Sequence, residues 1–306
     1  MDATNLELSD ISYSDRPPVV VGASSASAMA TAVRTIEAAG CRIADRVPLR
    51  SARERIQQQI AASAIWLELD RDCGAEMDEV LSFIDQNAAG GRFPAVVSST
   101  AALIDAVSAR LASGAAEIIV DAGDAERTAA LALATATTGA DLRFSDVASD
   151  QSAARLRQLS DEVSRIAATL ARLSSGPSAP PRVIEPAPRG DLPDVSADTV
   201  RSIIRARRLR ARFFPEELFA DPAWDMLLDL LQAEIAHLRV PVSSLCIAAA
   251  VPATTALRWL KTMVANGLFI RRADPHDGRR VFVELSPDAS RALRRYFAEV
   301  GSPSVV

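Results

Sequence analysis

Five short apolar runs, PVVVGAS (18–24), CRIADRVPL (41–49), AIWLELD (64–70), FPAVVSS (93–99) and AEIIVDA (116–122), recur along the first half of the chain. A segment with helical periodicity follows each of them, from AMATAVRTIEAAG to AERTAALALATA. Strands that alternate with helices and carry apolar residues at nearly every position belong to a parallel sheet covered on both faces. The pattern therefore predicts an α/β domain over 18–147 with a five-stranded parallel, flavodoxin-like sheet, after an N-terminal tail over 1–17. The first strand-to-helix turn, VVGASSASA, lacks the G-x-G-x-x-G of a dinucleotide site. Hydroxyl-rich loops at Ser24–Ser27 and Ser98–Thr100 fall at the carboxyl ends of the strands, where such sheets hold ligands.

In length and element order this segment resembles the receiver domain of two-component response regulators. The resemblance implies a phosphate-accepting aspartate after the third strand, which Asp70 matches, and a hydroxyl after the fourth, which Ser99 or Thr100 matches. It also implies an acidic pair after the first strand, but Gly22, Ala23 and Ser24 stand there, and Asp121 lies in the region of the family's lysine. Without carboxylates to hold a divalent cation, the charge on a transferring phosphoryl group is not neutralised. The expectation is a pseudo-receiver, with Asp70 a vestigial phospho-acceptor at most.

The second constraining stretch is RRADPHDGRRVFVELS, 271–286. Asp274, Pro275, Asp277 and Gly278 are turn formers, GLFIRR precedes them, and Val281, Val283 and Leu285 alternate as in a strand. Upstream, Leu257, Leu260 and Val264 follow helical spacing before Gly267 at a C-cap position, and PVSSLCIAAAV makes a shorter helix with Ser243 or Ser244 as N-cap. Helix, turn, helix and hairpin in this order make a winged helix-turn-helix, whose second helix enters the major groove. Opposite the apolar face lie Thr255, Arg258, Trp259 and Thr262, with Thr254 and Lys261 at its edges.

From Ser244 to Ser286 the chain resembles MarR-type regulators, whose motifs T-T-x-x-R, G-L-x-x-R, D-P-x-D-x-R and V-x-L-[ST] it matches at Thr254, Thr255 and Arg258, at Gly267, Leu268 and Arg271, at Asp274, Pro275, Asp277 and Arg279, and at Val283, Leu285 and Ser286. It departs at Arg280, where the family has a small residue. The resemblance implies an α+β winged-helix domain over 197–306 that binds double-stranded DNA at a palindromic operator. Its expected contacts are Thr254, Thr255, Arg258, Lys261, Thr262, Arg271, Arg272, Asp277, Arg279 and Arg280.

Charge agrees once the chain is divided. The whole carries −5, but 197–306 holds 16 Lys and Arg against 12 Asp and Glu, leaving 18 against 27 for the rest. Between the domains, Leu156, Leu159, Val163, Ile166, Leu170 and Leu173 form an a/d seam within 148–175. This suits either a coiled-coil homodimer or a helix packed on its own domain. A Pro- and Ser-rich linker, 176–196, follows. No apolar run nears the roughly 18 residues that span a bilayer, so no membrane partner is predicted and the location expected is cytoplasmic, on the nucleoid. Cys41, Cys73 and Cys246 form no C-x-x-C, and His237 and His276 have no nucleophile or carboxylate pattern around them. No metal, cofactor or catalytic site is predicted. The reading is a homodimeric transcriptional regulator with an unknown effector; the alternative is a scaffold whose two domains bind proteins.

Overall fold

The computed structural model describes residues 16–59, 62–142 and 195–300. The 156–173 seam and nearly all of the linker lie outside them.

Strands β1 (Pro18–Ala23), β2 (Arg42–Pro48), β3 (Ala64–Leu69), β4 (Ala95–Ser99) and β5 (Glu117–Val120) pair in parallel in the order β2-β1-β3-β4-β5. Successive side chains of a strand point to opposite faces. Val19, Val21, Trp66, Val96 and Ile119 accordingly cluster with Ala32 and Ile36 of α1 (Ala26–Ala38) and Leu131 of α5 (Asp124–Leu142). Val20, Ile65, Leu67 and Val97 cluster with residues of α2 (Leu49–Gln58), α3 (Ala75–Ala89) and α4 (Ile104–Arg110), among them Ile56, Leu81 and Val107. Each such fully buried aliphatic side chain contributes roughly 1.5–3 kcal/mol. The sequence expectation of a receiver-like sheet covered on both faces holds. The edge strand β2 is only half-buried, which is why RIADRVP mixes charged with apolar residues.

One charge lies inside this module. Glu68, 4% exposed, accepts from Trp66 Nε1 (2.9 Å) and Ser98 Oγ (3.0 Å) and pairs with Arg127 of α5 (2.5 Å), so both of its oxygens are occupied.

The C-terminal module begins with α6 (Ala197–Leu209) and α7 (Pro222–Ile235). It continues through β6 (Val240–Pro241), α8 (Val242–Ala248), α9 (Ala253–Ala265), β7 (Phe269–Ala273) and β8 (Val281–Leu285) to α10 (Pro287–Val300). Its sheet is antiparallel, in the order β6-β8-β7. Helices α8 and α9 are bent by 107°, within the range of a helix-turn-helix. Pro252 separates them, as its missing N–H and fixed φ allow. Helix α9 ends at Gly267, where φ is +71° and the N–H groups of Gly267 and Leu268 donate to Val264 O and Met263 O (2.9 Å each). This is a Schellman arrangement that favours glycine. The start of α8 differs from expectation. Pro241 holds the cap position with no side-chain hydrogen bond, and Ser243 lies inside the helix with its hydroxyl committed elsewhere.

The two modules form one compact unit. Ile104 of α4 and Val120 of β5 are buried in the same apolar cluster as Leu245, Leu257, Leu260 and Val283 of the winged helix.

Candidate nucleic-acid interface

The wing owes its shape to its two aspartates. Asp274 Oδ1 accepts from the His276 N–H and Asp277 Oδ1 from the Arg279 N–H (2.9 Å each), and the Asp274 N–H donates to Arg280 O (3.0 Å). Such side-chain-to-backbone bonds are what Asp supplies in turns. They thrust Arg279 and Arg280 to the tip. Asp277 also lies 3.4 Å from Arg280 Nε and braces that arginine through its charge, while it holds Arg279 through the backbone N–H and adds its charge to those facing the Arg279 guanidinium.

On α9, Thr255 is half-buried while Arg258, Trp259, Lys261 and Thr262 are exposed. Thr262 Oγ1 donates to Arg258 O (3.0 Å), a turn back along the helix. Arg272 and Arg280 are exposed as well, Arg272 paired with Glu284 across the hairpin (2.6 Å). Among the described residues, Lys261 has no ionic partner, and its methylene stem lies over Gly114.

Several expected DNA contacts are not free, however. Thr254, placed by its spacing at the edge of the outward face, is 1% exposed, and its hydroxyl oxygen accepts from the Val120 N–H at 2.9 Å. It is unavailable to DNA because α9 packs across β5, the edge strand, and Thr254 satisfies an amide that no neighbouring strand reaches. Arg258 meets Glu117 at 2.6 Å. Arg271 is half-buried, and its guanidinium donates to Ser108 O while burial pushes its pKa below the usual arginine value. Arg279 pairs with Asp72 (2.7 Å) and comes within 3.3 Å of Asp78. Asp105 takes the Ser243 N–H (2.9 Å) and hydroxyl (2.6 Å). The partners, Asp72, Asp78, Asp105, Ser108, Glu117 and Val120, escaped the sequence reading. The acidic excess of the first 196 residues was the only signal that pointed toward them.

At the Asp70 site, Ser24 Oγ donates to Oδ1 (2.7 Å) and Ser25 Oγ to Oδ2, while the Asp70 N–H donates to Ser24 Oγ (2.9 Å). Burial by itself would raise the pKa of Asp70. The hydroxyls of Ser25 and Ser24 and the Arg71 charge outweigh burial and hold it below the usual carboxylate range. The two serines thus occupy both oxygens that a receiver would offer to metal and phosphate. A side chain at Gly22 would approach Leu67 Cδ1 to 2.8 Å and Ala52 Cβ to 3.2 Å, so the end of β1 has little room for a carboxylate there. Among the described residues no cluster of three or more His, Cys, Asp or Glu side chains is placed to hold a metal ion.

No protein-family model and no curated protein matches the chain. Among solved structures it is similar to the signal receiver domain of a Luxo repressor protein from Vibrio parahaemolyticus: 16% identity over 43% of this chain and 98% of that one, TM-score 0.34. It is also similar to BpsR of Bordetella bronchiseptica, whose DNA binding is regulated by 6-hydroxynicotinic acid (22% identity, 32% of this chain and 71% of that one, TM-score 0.22). A third is a transcriptional regulator from Thermotoga maritima (19% identity, 33% and 73%, TM-score 0.19). At these scores the likenesses are partial, and what the chain does is read from its own geometry.

Proposed function

We propose that the chain is a sequence-specific DNA-binding transcriptional regulator that works as a homodimer, with a receiver-like module that does not use phosphate chemistry. The observation that carries this reading is the pairing of α8 and α9 at 107° with a hairpin whose aspartate-braced tip carries Arg279 and exposes Arg280. A major groove admits one helix, and the exposed Arg258, Lys261 and Thr262 are donors suited to phosphates and base edges. The wing arginines suit the flanking backbone. Gel shift on genomic fragments in excess competitor DNA tests the reading. The full chain is expected to retain a subset of fragments, and Lys261→Ala to weaken all of them and flatten the salt dependence by about one unit for each phosphate no longer neutralised. Binding that competitor removes from every fragment alike would contradict sequence-specific recognition.

A second reading is favoured by one observation: Thr254, Arg258, Arg271 and Arg279 all contact the chain's own N-terminal module. In that reading the winged helix is a protein-binding module. The same gel shift then shows no preferred fragment.

A further inference from the structure

Resting on the DNA-binding reading, we infer that the surface made by the loop before α3, by α4 and by β5 is a docking surface for the chain's own DNA-reading face. Duplex and N-terminal module compete for one set of side chains.

The chemistry of the contacts supports competition rather than mere proximity. Nucleic acid would offer α9 and the wing oxygen acceptors carrying negative charge. The N-terminal module offers the same: Asp72 and Asp78 to Arg279, Glu117 to Arg258, a backbone carbonyl to Arg271, and Asp105 to the backbone N–H and hydroxyl of Ser243 near the start of α8. These carboxylates come from three separated segments, 72–78, 105 and 117, yet all face the helix-turn-helix and wing. The geometry is exclusive as well. With Thr254 sealed against β5, the amino-terminal turn of α9 cannot lie in a major groove while it covers the sheet edge.

The contact is also built to open. Among the described residues, Asp78 Oδ1, Arg110 Nε and Arg279 Nε are buried there without hydrogen-bond partners; Arg279 Nε lies 3.3 Å from Asp78 Oδ1, off the angle that a hydrogen bond requires. Unsatisfied polar groups weigh against the state that buries them. A cleft of about 230 Å³ remains between the modules, lined by Leu111, Ile118, Leu257, Lys261 and Arg271. The cleft is open to solvent, so the modules do not meet over the whole of the surface they share. Release frees the charged Arg258 and Arg279 from their carboxylate partners, ready for phosphate. Because only the open fraction binds, the apparent affinity for DNA is the intrinsic affinity scaled by that fraction.

The test uses the full chain, a short fluorescent random-sequence duplex and the double variant Asp72→Asn/Glu117→Gln. Both changes are nearly isosteric, and neither replaces a residue assigned to DNA, since Asp72 and Glu117 only pair with Arg279 and Arg258. The control, Glu37→Gln/Glu54→Gln, removes the same charge from exposed helix positions away from the docking surface. The docking variant is expected to bind the duplex about tenfold more tightly by raising the open fraction. It should also exchange the amides of 253–265 and 117–120 faster, while the control matches wild type in both readouts. Equal duplex affinity for docking variant and wild type would overturn the competition and leave DNA binding standing. An equal gain in the control would overturn it too, by reducing the effect to net charge. If neither wild type nor variant binds duplex although exchange accelerates, the DNA-binding reading itself fails. Unchanged exchange would show that the two carboxylates do not hold the docked state.

Discussion

Glu68 inside the sheet has both oxygens occupied by protein donors, whereas Asp78 beneath the wing keeps one buried oxygen with no hydrogen bond among the described residues. Glu68, Trp66, Ser98 and Arg127 belong to one module and meet only within it. Asp78 and Arg110 belong to one module and Arg279 to the other. A buried ion pair that is fully satisfied inside one module acts as architecture, since removing one partner strands the other in low dielectric. A partly satisfied cluster between modules is what remains when two surfaces must also part. The two clusters therefore give a physical criterion for separating the scaffold of this protein from its moving contact.

The largest test of that contrast is Arg127→Met, which leaves Glu68 buried and unpaired. It is expected to lower unfolding stability by roughly 3–5 kcal/mol in urea titration. Arg279→Met, by contrast, removes a part-exposed arginine from a cluster that is only partly satisfied, and about 1 kcal/mol or less is expected. Equal losses would erase the distinction.

Acidification sharpens it further. The Arg279 guanidinium, and then the Gly74 N–H, hold the Asp72 carboxyl below its usual range. A group with a depressed folded pKa contributes stability in full above its unfolded value and loses it as pH falls through the folded one. The unfolded value is about 3.9, so the Asp72 contribution should fade below about pH 4. Arg279 is the cation facing Asp72, while Asp78 and Asp277 face the same guanidinium and compete for it. The urea midpoint should therefore fall more steeply between about pH 5 and pH 3 in wild type than in Asp72→Asn. Parallel curves would mean that Asp72 contributes nothing to the docked state.

How much of this was legible beforehand depended on how far away the partner lay. The sheet was visible because parallel strands buried on both faces must read VVV or IWL, and the wing because Asp-Pro-His-Asp-Gly can do little but turn. Gly267 announced the end of α9 for the same local reason. Ser243 or Ser244 was expected as a cap, a local role, but the Ser243 hydroxyl goes to Asp105, 138 residues away. Thr254 matched a DNA-contact motif, but its amide partner at Val120 lies 134 residues away on a sheet edge. Helical periodicity reports which face of α9 is apolar and is silent on what covers the other. The charge asymmetry between the two parts of the chain was the one long-range hint, and it carried no address.

The smallest expected effect concerns the thiols. Burial, with the Asp105 charge adding to it, pushes the Cys246 pKa up to about 12. Cys73 is only half-buried, although burial raises its pKa too. At neutral pH iodoacetamide should label Cys73 and spare Cys246, because the thiolate is the nucleophile and access limits it. Labelling of Cys246 at the rate of Cys73 would mean that α8 is not held against α4.

Competition for the α9 face is tested most directly by hydrogen exchange of the full chain with and without saturating duplex. The Val120 N–H, which donates to the Thr254 hydroxyl in the docked state, should exchange faster when duplex is present, while the amides of 253–265 become more protected. Protection of α9 by duplex with Val120 unchanged would show that DNA binds while the modules stay docked, and would contradict the account.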